Sequence, residues 1–143
     1  MSNQIMEIYN YLQEIAWRFG SRGINGECCE DLSFIEFMAL KRIIELDEIS
    51  VQEVGNQLNI TKSGATKIIN RLDQKGYVTK ETSAADGRVC CIRATDNGTQ
   101  IMNRIISKNI VYLEKILNPL DPNSVTEIEA ALKTFNDSTH TAN

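Results

Sequence analysis

Apolar residues recur every three or four positions in several segments of the chain, which is the spacing of one face of an α-helix. This pattern predicts a helix over residues 4–19 with a single apolar stripe, and a second helix over 33–46 whose apolar residues are spread around the cylinder. The second helix should therefore be buried on several sides. Three glycines follow the first helix, so we expect a flexible loop that ends at Asp31.

Two short helices and a hairpin are predicted in the centre of the chain. Ser50 has a glutamate three residues later, which is the spacing of a capping box, and Thr61 can cap the helix that follows. Gly76 should end this following helix. The segments 77–80 and 89–95 then have the composition of two short strands joined by a polar turn.

The C-terminal part is predicted to be helical again. A long helix should run from 96 to 117, after which two prolines stop it, and a last helix should run from 123 to 135. We expect the last helix to bury its apolar residues, and the final eight residues to form a frayed polar tail. The predicted fold class is thus mainly α with a small β-hairpin.

Charge is distributed unevenly along the sequence. The whole chain has a formal net charge of -4, yet seven basic residues stand against three acidic ones between Ile60 and Arg93. Such a distribution directs one surface toward a polyanion and keeps the other surfaces away from it.

Two short helices joined by a tight turn and followed by a hairpin make a winged helix-turn-helix, whose second helix enters the major groove of DNA. The apolar side of that helix should face the core through Ala65, Ile68, Ile69 and Leu72. Its other side carries polar and basic side chains that can bond to base edges and phosphates, although an ordinary solvated surface is the alternative. The predicted DNA-contacting residues of this helix are Lys62, Ser63, Thr66, Lys67, Asn70 and Arg71.

The tip of the hairpin supplies a second predicted contact. Arg88 follows a glycine on a tight turn and has the shape and charge to enter a narrow minor groove. Asp86 would repel DNA, so we expect it to orient Arg88 through charge-assisted hydrogen bonds. An incidental ion pair on a surface turn is the alternative.

Four motifs stand at fixed places in the predicted lobe: Ser63-x-x-Thr66, the run Ile68-Ile69-Asn-Arg71-Leu72-Asp-x-Lys75-Gly76-Tyr77-Val78, Asp86-Gly-Arg88, and Ala94-Thr95-x-x-Gly98. With these motifs, residues 32–98 resemble the multiple-antibiotic-resistance regulator family, called MarR, of transcription factors. Two residues depart from the family pattern: Gly64 lies in the first turn of the recognition helix, and Lys80 stands where the family often has arginine.

The resemblance implies an obligate homodimer that binds a pseudo-palindromic operator in double-stranded DNA, with the terminal helices of both subunits intertwined. It divides the chain into a dimerisation helix and loop (1–31), a winged helix-turn-helix lobe (32–98), and dimerisation helices with a tail (99–143). The apolar stripes of the terminal helices fit this expectation, because a lone chain would leave much of both exposed. We expect a repressor that requires no cofactor and is released by a small ligand or by modification of its thiols, including binding of a thiophilic metal.

The four cysteines form two adjacent pairs, Cys28-Cys29 and Cys90-Cys91. Neighbouring cysteines rarely bond to each other without strain, so we expect free thiols in a reducing compartment. Cys90 should act as a small hydrophobe on the inner face of its strand.

Thiol chemistry or metal binding by these cysteines is a hypothesis. Cys91 should lie beside Arg93, whose charge favours a reactive thiolate. Cys28 and Cys29 are flanked by acidic residues and could bind a metal. A closed zinc site is not favoured, because there is no C-x-x-C spacing and His140 is the only histidine.

Several classes of protein are disfavoured by the sequence. No enzyme is expected, because a single histidine in the tail cannot complete a Ser/His/Asp set and no phosphate-binding loop or H-E-x-x-H motif is present. A thiol oxidoreductase and a winged-helix interaction module that does not bind DNA stay open as alternatives. No apolar run approaches the roughly 18 residues that span a bilayer and no signal peptide is evident, so we expect a cytoplasmic protein without a membrane partner.

Overall fold

The structure, a computed structural model, describes residues 1–24, 29–82 and 89–142, without the side chains of 21–24, 89 and 90. Helices predominate, and one two-stranded antiparallel sheet stands between the fourth and fifth of them, which confirms the predicted fold class. The elements are α1 (Ser2–Ile24), α2 (Phe34–Leu46), α3 (Val51–Leu58), α4 (Lys62–Gln74), β1 (Val78–Thr82), β2 (Val89–Ala94), α5 (Asp96–Leu117) and α6 (Pro122–Ala142).

The starts of α2, α3 and α4 are fixed by side-chain caps. The hydroxyl groups of Ser33 and Ser50 each accept a hydrogen bond from the backbone N–H three residues later. The glutamate at that position accepts one from the backbone N–H of the serine, so both helices begin with a capping box. Thr61 caps α4 by accepting from the N–H of Gly64 at 3.0 Å. Caps of this kind stabilise a helix by about 1 kcal/mol each.

A short turn joins α3 to α4. Asn59 ends α3 in the left-handed conformation, with φ of 54°, and the N–H of Ile60 donates to the carbonyl of Gly55 at 2.9 Å. The turn leaves two residues between Asn59 and Lys62, so the two helices form the tight pair that the sequence predicts.

The chain divides into two compact units, Met1–Ile106 and Ser107–Asn143. The core of the first unit is built from α2, α3, α4, the two strands and the first turns of α5. The middle of α2 is enclosed on several sides, as predicted, whereas Phe34 at its start is exposed. The largest fully buried side chains in this core are Leu40, Ile43, Ile49, Ile69, Leu72, Ile92, Ile101 and Ile105.

The sheet is a hairpin with an irregular outer end. Val78 pairs with Ala94 and Glu81 with Cys91, after which the register shifts between Glu81 and Thr82. Ile49, in the link between α2 and α3, forms an additional antiparallel bridge with Ile92, whose N–H donates to the Ile49 carbonyl at 2.7 Å. The hairpin is therefore attached directly to the segment that precedes α3.

Both terminal helices differ from the prediction. The expected loop after residue 19 is wrong at its start, because α1 continues through Gly20 and Gly23 to Ile24. A glycine inside a helix costs only about 1 kcal/mol, which the rest of a 23-residue helix can offset. The described side chains of α1 are exposed along its whole length, including Ile5, Ile8 and Ile15.

The tail after residue 135 is helical rather than frayed, because α6 continues to Ala142. Hydroxyl groups there bond back to the preceding turn, for example from Ser138 to the carbonyl of Thr134 at 2.9 Å, and Lys133 pairs with Asp137 at 2.7 Å. The expected burial of the apolar residues in α6 is also wrong, since none of its residues is buried and Leu132 is 56% exposed.

No helix among the described residues combines the length and apolar character needed to cross a bilayer.

Candidate nucleic-acid interface

The inner face of α4 fixes the orientation of the whole helix. Ala65, Ile68, Ile69 and Leu72 are buried against the core, as predicted. Since one side of the helix is anchored by these four residues, the opposite side is held toward solvent. This outer side carries all six residues that sequence reasoning assigned to DNA contact.

The structure separates these six residues into two rows, and within each row the residues are four positions apart in the sequence. The outer row is exposed and consists of Ser63, Lys67 and Arg71. The inner row borders a groove of about 430 Å³ between α4, the start of α3 and β1. The groove is lined by Lys62, Thr66, Asn70, Ser50, Val51, Gln52, Ile69 and Lys80.

The basic residues of this lobe are not equivalent. Among the described residues, Lys62, Lys67 and Arg71 are exposed and make no ion pair. Lys75 instead reaches Glu36 at 3.0 Å, and Arg93 reaches Glu48 at 2.8 Å. The sequence-based charge count therefore overstates the positive charge that this surface presents.

Lys80 connects the wing to the recognition helix. Its ammonium, on β1, donates to Oδ1 of Asn70 and lies 3.7 Å from Oδ2 of Asp73. The side chain of Asn70 is half-buried as a result. Thr66 is engaged within its own helix, since its hydroxyl donates to the carbonyl of Lys62 at 2.9 Å.

The end of α4 is held by a network that sequence reasoning did not identify. Lys75 donates to Glu36, which is 4% exposed, and to the backbone carbonyl of Asp31 at 2.6 Å. Tyr77 donates its hydroxyl proton to the Asp31 carboxylate at 3.0 Å. Burial and this carboxylate raise the pKa of Tyr77 above its ordinary value. The network ties the start of the wing to the segment before α2.

Glu36 keeps its charge although it is buried. Desolvation acts to raise the pKa of Glu36, but hydrogen bonds from the Ser33 backbone N–H and from Lys75 outweigh it, so the pKa lies below its ordinary value. The only sequence signal for this residue is its capping-box position after Ser33, which gives no hint of the partner 39 residues further along the chain.

The motif Ala94-Thr95-x-x-Gly98 has a steric role in this fold. A Cβ atom on Gly98 would lie 2.2 Å from the carbonyl oxygen of Tyr77, which is closer than any real contact. The same carbonyl accepts the N–H of Thr95 at 3.0 Å, and the Thr95 hydroxyl donates to the Gly76 carbonyl at 2.6 Å. The start of α5 thus packs directly on the backbone that enters the wing.

The predicted wing-tip contacts lie outside the described residues. This applies to Asp86 and Arg88, whose proposed roles stay predictions. Cys28 is also outside the described residues, and the side chain of Cys90 is not described.

The expectation of free thiols is wrong for Cys29. This residue is disulfide-bonded and buried, with 2% of its surface exposed. The partner of Cys29 is not among the described side chains.

Cys91 is a buried cysteine outside any disulfide, and its thiol lies near the carboxylates of Glu81 and Glu48, which Arg93 also contacts. Its thiol donates to Oε2 of Glu81 at 3.4 Å, and Arg93 contacts both Glu81 and Glu48. A hydrogen bond from Cys91, with a smaller contribution from the hydrogen bond of Arg93, holds the pKa of Glu48 below its ordinary value. The thiol is thus a hydrogen-bond donor here, and the guanidinium is neutralised by carboxylates.

Glu48, Glu81 and Cys91 are also the described residues best placed to hold a metal ion, since their ligand atoms lie within 4.8 Å of one another. A cation would have to displace Arg93 and the thiol proton. No sequence motif pointed to this set, because its members come from three separate segments.

This arrangement of helices, tight turn and hairpin defines a winged helix-turn-helix protein. Residues 30–89 match the model of the MarR family. The chain is 30% identical over 84 residues to the HTH-type transcriptional regulator PecS of Dickeya dadantii, an alignment that covers 59% of this chain and 51% of that protein.

Solved structures match nearly the whole chain. A MarR family protein from Bacillus stearothermophilus superposes with a TM-score of 0.86 at 20% identity, over 98% of both chains. Streptococcus pneumoniae FabT, solved in complex with DNA, superposes with a TM-score of 0.81 at 20% identity, over 97% of this chain and 99% of that one. The chain spans about half the length of the first curated relatives that it matches. The similarity to the MarR family is therefore carried by residues 30–89 of this chain, and the likeness of the fold extends over nearly all of it.

Proposed function

We propose that this protein is a homodimeric transcriptional repressor that binds a pseudo-palindromic site in double-stranded DNA. The observation that carries the proposal is the outer side of α4, where Lys62, Lys67 and Arg71 are exposed without an ion pair among the described residues. Such cations release condensed counterions when they contact phosphates, and this supplies much of the affinity for DNA.

Relatives support the same function. PecS is named as a transcriptional regulator, and FabT was solved with DNA bound to it. Regulation of transcription rather than catalysis is therefore the activity that we assign, and a cytoplasmic location is the one that suits it.

A second copy of the chain is proposed to cover the terminal helices. In α1, Ile5 is 58% and Ile15 is 47% exposed, and in α6 none of the residues is buried. Leaving such apolar surface in water is unfavourable by roughly 25 cal/mol per Å². Pairing of two chains would also place two α4 helices about one DNA turn apart, roughly 34 Å, which is the reason for expecting a palindromic site.

Release from DNA is proposed to follow from a small ligand or from modification of Cys91. An effector can shift the equilibrium only if it binds the released conformation more tightly than the DNA-bound one. A hydroperoxide would convert the Cys91 thiol to a sulfenic acid and leave as the alcohol, and a thiophilic cation would replace the thiol proton. Either change would alter the contacts among Cys91, Glu81 and Glu48, which join the wing to the segment before α3.

Fluorescence anisotropy on a duplex from upstream of the gene, compared with a scrambled duplex across a salt series, tests the proposal. We expect selective binding that weakens steeply with salt, and loss of roughly one unit of salt slope in Lys67→Ala. Equal, salt-insensitive binding to both duplexes contradicts the proposal and favours a winged-helix module with another kind of partner. Titration with a hydroperoxide, with Cys91→Ser as the control, then tests the thiol route.

A further inference from the structure

The amide of Asn70 has a defined orientation on α4. Its neighbour is the ammonium of Lys80, which is a donor without any acceptor, so the atom of Asn70 that faces it has to be the oxygen Oδ1. Lys80 is held in place by Asp73 as well, at 3.7 Å. The amide nitrogen of Asn70, with its two protons, is therefore the end that can donate to a ligand in the groove.

This orientation changes what Asn70 can recognise. An asparagine that reads adenine uses both ends of the amide at once, accepting from N6 and donating to N7. Here an ammonium occupies Oδ1 and repels any further N–H donor that approaches it. Asn70 can therefore donate a hydrogen bond to a base edge but cannot form the two-bond contact with adenine.

Most of the rest of this face of α4 also offers donors, the exception being the hydroxyl of Ser63, which can donate or accept and lies 3.3 Å from the hydroxyl of Thr61. Lys62, Lys67 and Arg71 carry donor groups only. The hydroxyl proton of Thr66 is already given to the Lys62 carbonyl, so Thr66 presents a methyl group and neutral lone pairs, which bond more weakly than a charged donor. The nearby carboxylate, Asp73, is engaged by Lys80.

We propose that this face selects base edges that present acceptors, namely guanine O6 and N7 or thymine O4, and that Lys80 sets this preference through Asn70. The proposal rests on the DNA-binding function proposed above. Lys80 is a positioning residue in this scheme. Adenine presents an amino group beside its N7 acceptor, and cytosine presents an amino group alone, so a face of donors matches both less well than guanine or thymine.

In vitro selection from random duplexes tests the proposal in three variants beside the wild type. The position whose preference is lost in Asn70→Ala is the base that Asn70 contacts, and we expect guanine or thymine there in the wild type. Lys80→Met keeps an unbranched chain but removes the donor, so adenine should become acceptable at that position, a relative gain of roughly tenfold. Lys80→Arg retains a donor and should retain the wild-type preference.

Base analogues give a second readout on the selected site. If the contacted base is guanine, 7-deazaguanine, which lacks the N7 acceptor, should weaken binding by roughly 5- to 150-fold. Inosine, which has the same major-groove edge as guanine, should not weaken it. Adenine as the wild-type preference, an unchanged preference in Lys80→Met, or no position affected by Asn70→Ala overturns the inference while leaving the repressor proposal in place.

The contact itself can be measured without DNA. The side-chain amide resonances of Asn70 in the NMR spectrum of the free protein should shift in Lys80→Met and stay near their wild-type positions in Lys80→Arg. Resonances that do not move in Lys80→Met overturn the inference. Absence of any sequence-selective binding by the wild type contradicts the proposed function and the base preference together. The NMR spectrum then still shows whether Lys80 bonds to Asn70.

Discussion

The ammonium of Lys75 lies 3.0 Å from Oε2 of Glu36, which ties the end of α4 to the first turn of α2. Lys75 immediately follows the recognition helix and is one of the seven basic residues between Ile60 and Arg93. The structure gives it a different role, because its side chain is 30% exposed and faces a carboxylate whose side chain is 6% exposed.

Substitution of Lys75 by methionine should therefore affect folding more than DNA binding. We expect the free energy of unfolding to fall by about 1–3 kcal/mol, since the variant leaves the Glu36 charge without its ammonium partner. Chemical denaturation measures this loss, and the salt slope of DNA affinity should stay near the wild-type value.

Lys67→Ala is the matched variant and should behave in the opposite way. Its side chain is exposed, so stability should change by less than about 0.5 kcal/mol while the salt slope falls by about 1. If Lys75→Met and Lys67→Ala lowered the salt slope equally, the structural distinction between the two lysines would be wrong.

Stability should depend on pH through Glu36. Its pKa in the folded chain lies below the ordinary value of 4.5, so its charge stabilises the fold above that pH, and the contribution is lost as pH falls through the folded pKa. Glu36→Gln should be less stable than the wild type at neutral pH and should show a smaller decrease in stability on acidification. Thermal unfolding between pH 3 and pH 7 measures both, and parallel curves would argue against a charged Glu36.

Gly98→Ala should destabilise the winged lobe. The new methyl group would meet the Tyr77 carbonyl at 2.2 Å, and the backbone must shift to accommodate it, at a cost of about 1–3 kcal/mol or more. Gly20→Ala is the control, because nothing lies within 4 Å of the position of its Cβ and alanine is the better helix former. We expect the control to be neutral or more stable by up to about 1 kcal/mol in denaturant titrations, and similar losses in both variants would contradict the close approach.

A charge placed on the apolar stripe of α1 should break the proposed dimer. Ile8→Glu would put a carboxylate into the interface, where desolvation of an unpaired charge is strongly unfavourable. Asn10→Glu introduces the same charge in the same helix, on the side away from the stripe, and should leave the dimer intact. Light scattering after gel filtration gives the molar mass of each variant, and a dimeric Ile8→Glu protein would exclude this stripe from the interface.

The central helices were predictable because their signals are local. Ser50 and Thr61 can be recognised as helix caps from the few residues that follow each of them. The helical spacing of Ala65, Ile68, Ile69 and Leu72 places these four residues on one face of α4 without knowledge of the rest of the fold. The same spacing identified the face that carries the six candidate DNA-contacting residues.

The features that were missed depend on contacts between distant segments or between chains. Lys75 points inward because it pairs with Glu36, which lies 39 residues away in the sequence. The possible metal ligands Glu48, Glu81 and Cys91 come from three separate segments. The exposed apolar residues of α6 were expected to be buried, because periodicity identifies an apolar face but not the molecule that covers it. The glycines of α1 were given too much weight as helix breakers.

The central claim is that α4 presents a sequence-reading surface to duplex DNA. Selection of bound duplexes from a random library by the wild-type protein tests it most directly. We predict enrichment of two half-sites related by a two-fold axis and about 10 base pairs apart, centre to centre, and loss of that enrichment when Lys67 and Arg71 are both replaced by alanine. Failure of the wild type to enrich any sequence, or equal enrichment by the double variant, would contradict the claim.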